Sequence, residues 1–331
     1  MKIFISDMGD LKPFRFEGSG PWTKFQSSFI SKGHSLVDNP KNADFLVLNS
    51  IKAAAKVLNV KSLKEKPRVL IVWEPPANIG KQWRRVMQAK HRKVFKPSNL
   101  WNTGHQKTGL FNWPQGGFRE ALHSNVAITK SQSGACLLLS NKISFHASEL
   151  YSLRRELAHR STLIDVYGMN WNAEFFVKLR LFFVALAKNP TFSFFRRGRY
   201  FFTTPKMYKG RVKDKILTHS KYLVSIVIEN SPDYVSEKLF DCIVSKSVPI
   251  YVGPPLTDFG IPRELALTTK ANFKDIEEAI RLLLMDEQLR KKYLEAGYRF
   301  INSNKFTKHS NENVLLELAN AVCHEIELGI S

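Results

Sequence analysis

Three cysteines in 331 residues, Cys136, Cys242 and Cys323, are too few and too scattered for a disulfide framework or a metal-binding knuckle. Such sparse use fits a reducing compartment, with each thiol filling core space. Long apolar runs are also missing. Nothing approaches the roughly 18 residues that a bilayer-spanning helix requires, so no transmembrane anchor is expected. The amino terminus, MKIFISDMGD, lacks a charged segment, a long apolar core and a small-residue cleavage site. It reads as a first strand rather than a secretion signal, and a cytoplasmic location is expected. Acidic residues are scarce, 29 against 50 Lys and Arg, for a net charge of +21 and a pI of about 9.9. An excess of this size favours an anionic partner: nucleic acid, an acidic membrane surface or a phosphorylated small molecule. Zinc-finger spacing, an RRM-type aromatic signature and a basic recognition helix are all absent, which argues against nucleic acid. No Asp-x-Asp triplet occurs.

What is present is an alternation of elements. Apolar strand-like runs occur at KIFIS, FLVLN, VLIVW, ACLLLS, LIDVYG, LVSIVIEN, PIYVG and ELALTT, separated mostly by segments of helical periodicity. That alternation predicts an α/β protein with parallel sheets, and the length suits two domains. The small, polar stretch KSQSGA, 130 to 135, marks a boundary. It gives a domain over residues 1–130, a second over 131–300 and a helical tail over 301–331. Ile276, Ile280, Leu283 and Leu284 form one helical stripe, and Val314, Leu315, Leu318 and Val322 another. The expected architecture is two lobes facing a central cleft.

An insert over residues 174–202 departs from this plan. Phe175, Leu179, Phe182, Phe183 and Leu186 follow helical spacing, with Lys178, Arg180, Lys188, Arg196, Arg197 and Arg199 interleaved or adjacent. Phenylalanine and cationic residues together are what an interfacial helix pair presents to anionic headgroups. A helix buried against its lobe, with a basic solvated loop, is the other reading, and both stay open.

The stretch ENSPDYVSEKLFDCIVSKSVPIYVGPP, 229 to 255, places Glu, Asn, Ser, Pro and Asp directly after the apolar run YLVSIVI. In an open α/β sheet the carboxyl ends of strands border the ligand crevice. Ser231 or Asp233 is expected to cap a helix with Val235, Leu239 and Ile243 inward and Glu237, Lys238 and Asp241 outward. The helix amides and Lys238 suit a pyrophosphate, and Glu237 can accept hydrogen bonds from vicinal ribose hydroxyls. A capped helix with a solvated polar face is the plainer account.

These residues closely resemble the donor-binding signature of the α-1,3/1,4-fucosyltransferases, glycosyltransferase family 10. The signature reads here as ENSPDYVSEK (229 to 238) and SVPIYVG (247 to 253). The likeness extends through LLSN (138 to 141), IDVYG (164 to 168), KGRVKDKI (209 to 216) and PPLTDFGIP (254 to 262), covering most of residues 135 to 300. In the first half, VLIVWEPPANI looks like the family's strand ending in Glu-Ser-Pro, with Pro75 where Ser is usual.

The resemblance implies a GT-B fold of two Rossmann-like domains and an inverting transfer of L-fucose from GDP-β-L-fucose to a glycan hydroxyl, with an α-1,3 or α-1,4 linkage. Asn230, Tyr234, Glu237 and Lys238 would hold the donor, Glu237 on the ribose and Lys238 on the phosphates. Glu74 would be the general base, its direction fixed by Pro75 and Pro76. The family's phosphate-binding Arg has Leu150 near its place, and Arg154 and Arg155, one turn on, would replace it. Positioned cations would stabilise the departing diphosphate, with no cofactor and no essential divalent metal. His91, His105 and His146 read as surface or packing residues. The expected acceptor is a surface, lipid-linked or lipopolysaccharide-type saccharide, reached from the inner face of an anionic membrane by the basic insert. A transferase for another GDP-sugar and a non-catalytic glycan- or membrane-binding protein are the alternatives.

Overall fold

Short runs of aliphatic residues become strands buried on both faces, and each of the eight expected strands is present. The computed structural model describes residues 1–15, 21–80, 82–101, 104–105, 107–112, 133–189 and 194–328. In chain order the strands are β1 (Lys2–Ile5), β2 (Ser35–Leu36), β3 (Phe45–Leu48), β4 (Arg68–Ile71), β5 (Lys93–Lys96) and β6 (Thr108–Leu110), then β7 (Ala135–Leu138), β8 (Ile164–Tyr167), β9 (Tyr208–Gly210), β10 (Val224–Ile228), β11 (Val248–Val252) and β12 (Leu267–Thr268). They form two sheets, ordered β2-β1-β3-β4-β5-β6 and β12-β11-β10-β7-β8-β9. Every pairing within them is parallel. The strands that apolar runs do not announce, β2, β5, β6 and β9, are short and carry Lys, Ser, Thr or Gly. Three of them are sheet edges, where less burial is needed.

The chain divides into two compact units, residues 1–114 with 307–331, and residues 115–306. The boundary expected at 130 falls within 113–132, outside the described residues. The first unit takes in most of the expected tail. The helix Asn311–Glu327 buries Leu315, Leu318, Ala319 and Val322 in one cluster with Phe25 and Phe29 of the helix Pro21–Ser31 and with β1, β3 and β4. Polar contacts hold it there too: Lys93 Nζ lies 2.8 Å from the Glu325 carboxylate, and Arg92 donates to the Glu325 carbonyl.

In the second unit, β10 shows why both faces of a parallel sheet must be covered. Ile226 and Ile228 pack with Leu153 and Leu157 of the helix Tyr151–Arg160 and with Ile276, Ile280 and Leu283 of the helix Phe273–Met285. Val227 points the other way, into a cluster with Leu239 and Ile243 of the helix Lys238–Val244. Two motif glycines are explained by crowding. A Cβ on Gly168, where φ is +137°, would lie 2.3 Å from the Leu139 carbonyl oxygen, and one on Gly253 would lie 2.3 Å from the Tyr251 hydroxyl.

Counted from β7, the second sheet runs 3-2-1-4-5-6 from β9 to β12, the dinucleotide-binding strand order. Its direction of winding reverses between β7 and β10. In the first sheet the reversal lies between β1 and β3, where the Asn49 amide nitrogen is 2.9 Å from the Ser6 hydroxyl.

Candidate functional site

The parallel ladder does not stop at Ile228. Glu229 N donates to the Val252 carbonyl at 2.9 Å, so Glu229 extends β10 by one residue at the strand-order reversal. Alternation then turns its side chain to the same side as Val227, toward the following helix, where it is fully buried. Its carboxylate accepts from the Ser236 amide at 2.9 Å, the Ser236 hydroxyl at 2.7 Å and Lys238 Nζ at 3.0 Å. Lys238 Nζ also donates to Ser236 Oγ at 2.6 Å. An ammonium has three N–H groups. Two are directed to Glu229 and Ser236, which aims the ammonium and leaves a third for a ligand.

Beyond Lys238 lies a second charged set. Lys215 Nζ is 3.5 Å from Glu237 Oε1 and 3.6 Å from Asp241 Oδ2, and its side chain is largely exposed. Burial works against charge on Glu237, yet Lys238 and Lys215 together outweigh it and hold the carboxyl below its ordinary pKa. Asp241 is more deeply placed, and burial pushes it up to about 6 despite Lys215. Glu237 is thus the ionised, partly accessible carboxylate of the pair.

Asn230 begins a chain of side chains on the other flank. Its Oδ1 accepts from Arg154 Nη2 at 2.8 Å, its amide nitrogen donates to the Tyr234 hydroxyl, and its carbonyl accepts from Leu150 N at 3.0 Å. Arg154 also donates to the Ile228 carbonyl and stacks over Tyr151 at 4.7 Å. Arg154 and Tyr234 are both buried.

Of the residues expected to bind the donor, Asn230, Tyr234, Glu237, Lys238 and Arg154 are gathered around the carboxyl end of β10 by these contacts. Arg155 stands apart from them. Its guanidinium is spent on the carbonyls of Lys142, Arg197 and Arg199, and burial lowers it to about 10. It fastens the insert to the loop after β7. Glu74 is exposed, three residues past the end of β4, in the first unit, and Pro75 and Pro76 follow it into the helix Pro76–Ile79.

Two local expectations need correction. Neither Ser231 nor Asp233 caps the helix. Ser231 Oγ donates to Asp233 instead, and the helix starts only at Lys238 and has seven residues. So short a helix is a poor anion site. The second concerns the insert. Lys178, which the interfacial reading would turn toward headgroups, is buried and donates to the carbonyls of Trp171 and Phe202. Three residues went unsingled by sequence: Glu229, Ser236 and Lys215. The period of two along β10 was the available signal for Glu229.

No protein-family model and no curated protein matches the chain. Solved structures do. HepE from Anabaena, in complex with UDP and glucose, is 8% identical, with 98% of this chain and all of that one covered at a TM-score of 0.60. Sucrose-phosphate synthase from Thermosynechococcus elongatus is 10% identical over 100% of this chain and 99% of that one, at 0.56. The DNA-modifying β-glucosyltransferase, studied with and without uridine diphosphoglucose, is 14% identical over 97% and 100%, at 0.55. At such identities the likeness is one of fold. The chain has the two Rossmann-like units of the GT-B type.

Among the described residues, no group of three or more His, Cys, Asp or Glu side chains could hold a metal ion, and no helix is long and apolar enough to cross a membrane. A hollow of about 350 Å³ in the first unit, lined by Lys96, Trp101, His105 and neighbours, contains none of the residues above.

Proposed function

We propose that this chain transfers a sugar from a nucleoside diphosphate sugar to a glycan hydroxyl, with GDP-β-L-fucose as the donor. The single observation that carries the reading is the buried Glu229 carboxylate aiming the Lys238 ammonium at the carboxyl end of β10, beside the strand-order reversal. Ligands of open α/β sheets bind at such a reversal. A diphosphate there receives the third N–H of Lys238, and the exposed Lys215 adds a second cation. Both gain strength as negative charge grows on the departing diphosphate, which lowers the barrier to breaking the sugar bond. Glu237, ionised and partly exposed, accepts the ribose hydroxyls. Arg154 acts through Asn230 by holding its amide in place. Glu74 takes the proton of the attacking hydroxyl, giving inversion in a single displacement, and no divalent metal is needed. The acceptor is a surface or lipopolysaccharide-type saccharide with an α-1,3 or α-1,4 linkage, met at the cytoplasmic side.

A uridine donor is the second reading, favoured by the UDP and UDP-glucose that similarly folded proteins bind. Thermal shift separates the two: GDP should raise the melting temperature and UDP should not, with the shift lost in Glu237→Ala. Release of GDP from GDP-fucose should persist in EDTA. Glu74→Gln should bind GDP normally and lose transfer. An unchanged transfer rate would remove Glu74 from the mechanism, and a shift with UDP alone would replace the fucose donor.

A further inference from the structure

The helix Phe175–Lys188 faces the wrong way for a soluble surface. Its inner side holds Lys178 and Ala185, with Lys178 Nζ 2.7 Å from the Trp171 carbonyl oxygen, while Leu179, Phe182 and Leu186 are half-buried. Phe182 packs on Phe145 at 5.1 Å and closes over Gly198, where any Cβ would stand 2.9 Å from its ring. The stripe read from sequence is therefore largely turned inward. The outer side is another set. At 100° per residue, Phe176, Val177, Phe183 and Val184 share one face with Arg180 and Lys188. Phe176 is 78% exposed, Phe183 58%, and Phe195 on the adjoining helix Phe194–Gly198 is 80% exposed.

We infer that this outer face is a docking surface for an anionic lipid bilayer. Four large apolar side chains share one face with two long cationic ones, whose stems reach from an apolar layer to its polar boundary. Between Glu174 and Asp214 the chain has ten Lys and Arg and no Asp or Glu. That charge pattern selects the occupant. A second copy of this chain would set the same basic segment against itself, and like charges there oppose pairing. A surface of acidic headgroups over acyl chains matches both parts of the face, with each basic residue near it contributing about fivefold in partition. The inference does not depend on which sugar is transferred, or on transfer at all.

The test uses the full chain with phosphatidylcholine vesicles, with and without phosphatidylglycerol, at low and high salt. Co-sedimentation with the anionic vesicles is expected, weakened by salt. Phe176→Ser with Phe183→Ser should lower it by roughly tenfold or more with the melting temperature little changed, because both side chains are mostly exposed and lose most of their water only on docking. Generic adsorption of a cationic protein is distinguished by Phe176→Trp, whose emission should shift to the blue on anionic vesicles and be quenched by brominated acyl chains. No recruitment, or recruitment that the double serine variant leaves intact with an unquenched Phe176→Trp indole, overturns the inference. So does a concentration-dependent dimer that the double serine variant abolishes, which would assign the face to a second copy.

Discussion

Lys238 Nζ sits 3.0 Å from the carboxylate of Glu229, a residue with no solvent exposure. Removing one partner of a buried ion pair strands the other, at a typical cost of about 3–5 kcal/mol. Lys238→Ala should therefore destabilise the second unit as well as stop turnover, and its inactivity alone says little. Glu229→Gln is more informative. It keeps an acceptor for the Ser236 amide and removes the negative charge, so GDP should bind as well as before or more tightly. The ammonium loses its aim, and kcat should fall roughly tenfold to a hundredfold. Steady-state kinetics with GDP binding measured in parallel would show this split. An unchanged kcat would mean that Glu229 does not position Lys238 for chemistry.

Arg155 is expected to behave differently from Arg154. Arg155→Met leaves three inward carbonyls without their donor, at a cost of about 3 kcal/mol or more in stability. At temperatures where the variant stays folded, its KM for donor should match that of the parent. Arg154→Met, which frees Asn230 as well as the Ile228 carbonyl, should raise the donor KM. Equal KM increases in both variants would return Arg155 to the binding site.

The contrast between these residues marks what a sequence conveys. Runs such as VSIVI and VPIYV declare buried strands because a parallel sheet covered on both faces demands continuous apolar residues. Edge strands such as Thr108–Leu110 carry no such demand and pass unnoticed. Helical spacing correctly gives a helix at 175–188 but leaves its facing open, because Lys178 occupies the buried position, satisfied by two carbonyls that lie distant in sequence or around a turn. The apolar stripe of Asn311–Glu327 is plain, whereas its place beside Phe25 and Phe29 depends on contacts nearly 300 residues apart, which local pattern does not encode. That Asn230, Tyr234, Glu237 and Lys238 gather in one place is legible in the motif ENSPDYVSEK. The division of labour within it depends on which side chains are already engaged by their neighbours.

Acid should destabilise both units. Burial lowers His91 and His309, in the first unit, to about 4 and His219, in the second, to about 3. A histidine that is neutral when folded and protonates freely when unfolded keeps its contribution above the unfolded value near 6.5 and loses it as pH falls. By pH 5 each of these three costs roughly 2 kcal/mol, and His34 in the first unit and His146 and His159 in the second, which burial also lowers, add to the loss. Calorimetry from pH 7.5 to 5 should show melting fall as the pH is lowered. Melting that is flat across this range would mean that these rings charge while folded.

Asp241 runs in the opposite direction, and that makes it the cleanest titration to test. Its carboxyl is held at about 6, chiefly by burial, with Lys215 3.6 Å away only partly offsetting this. The folded state thus binds a proton more readily than the unfolded state, whose value is 3.8. Stability from this group is greatest below pH 4 and declines as pH rises through 6, by a total on the order of 1–3 kcal/mol. Asp241→Asn removes the penalty while keeping the side-chain volume, and Lys215 retains Glu237 as a partner. The variant should therefore melt several degrees higher than the parent at pH 7.5, with the advantage vanishing near pH 4. A lower melting temperature at pH 7.5 would show that the Lys215 attraction exceeds the burial cost, and that Asp241 is ionised by design rather than on sufferance.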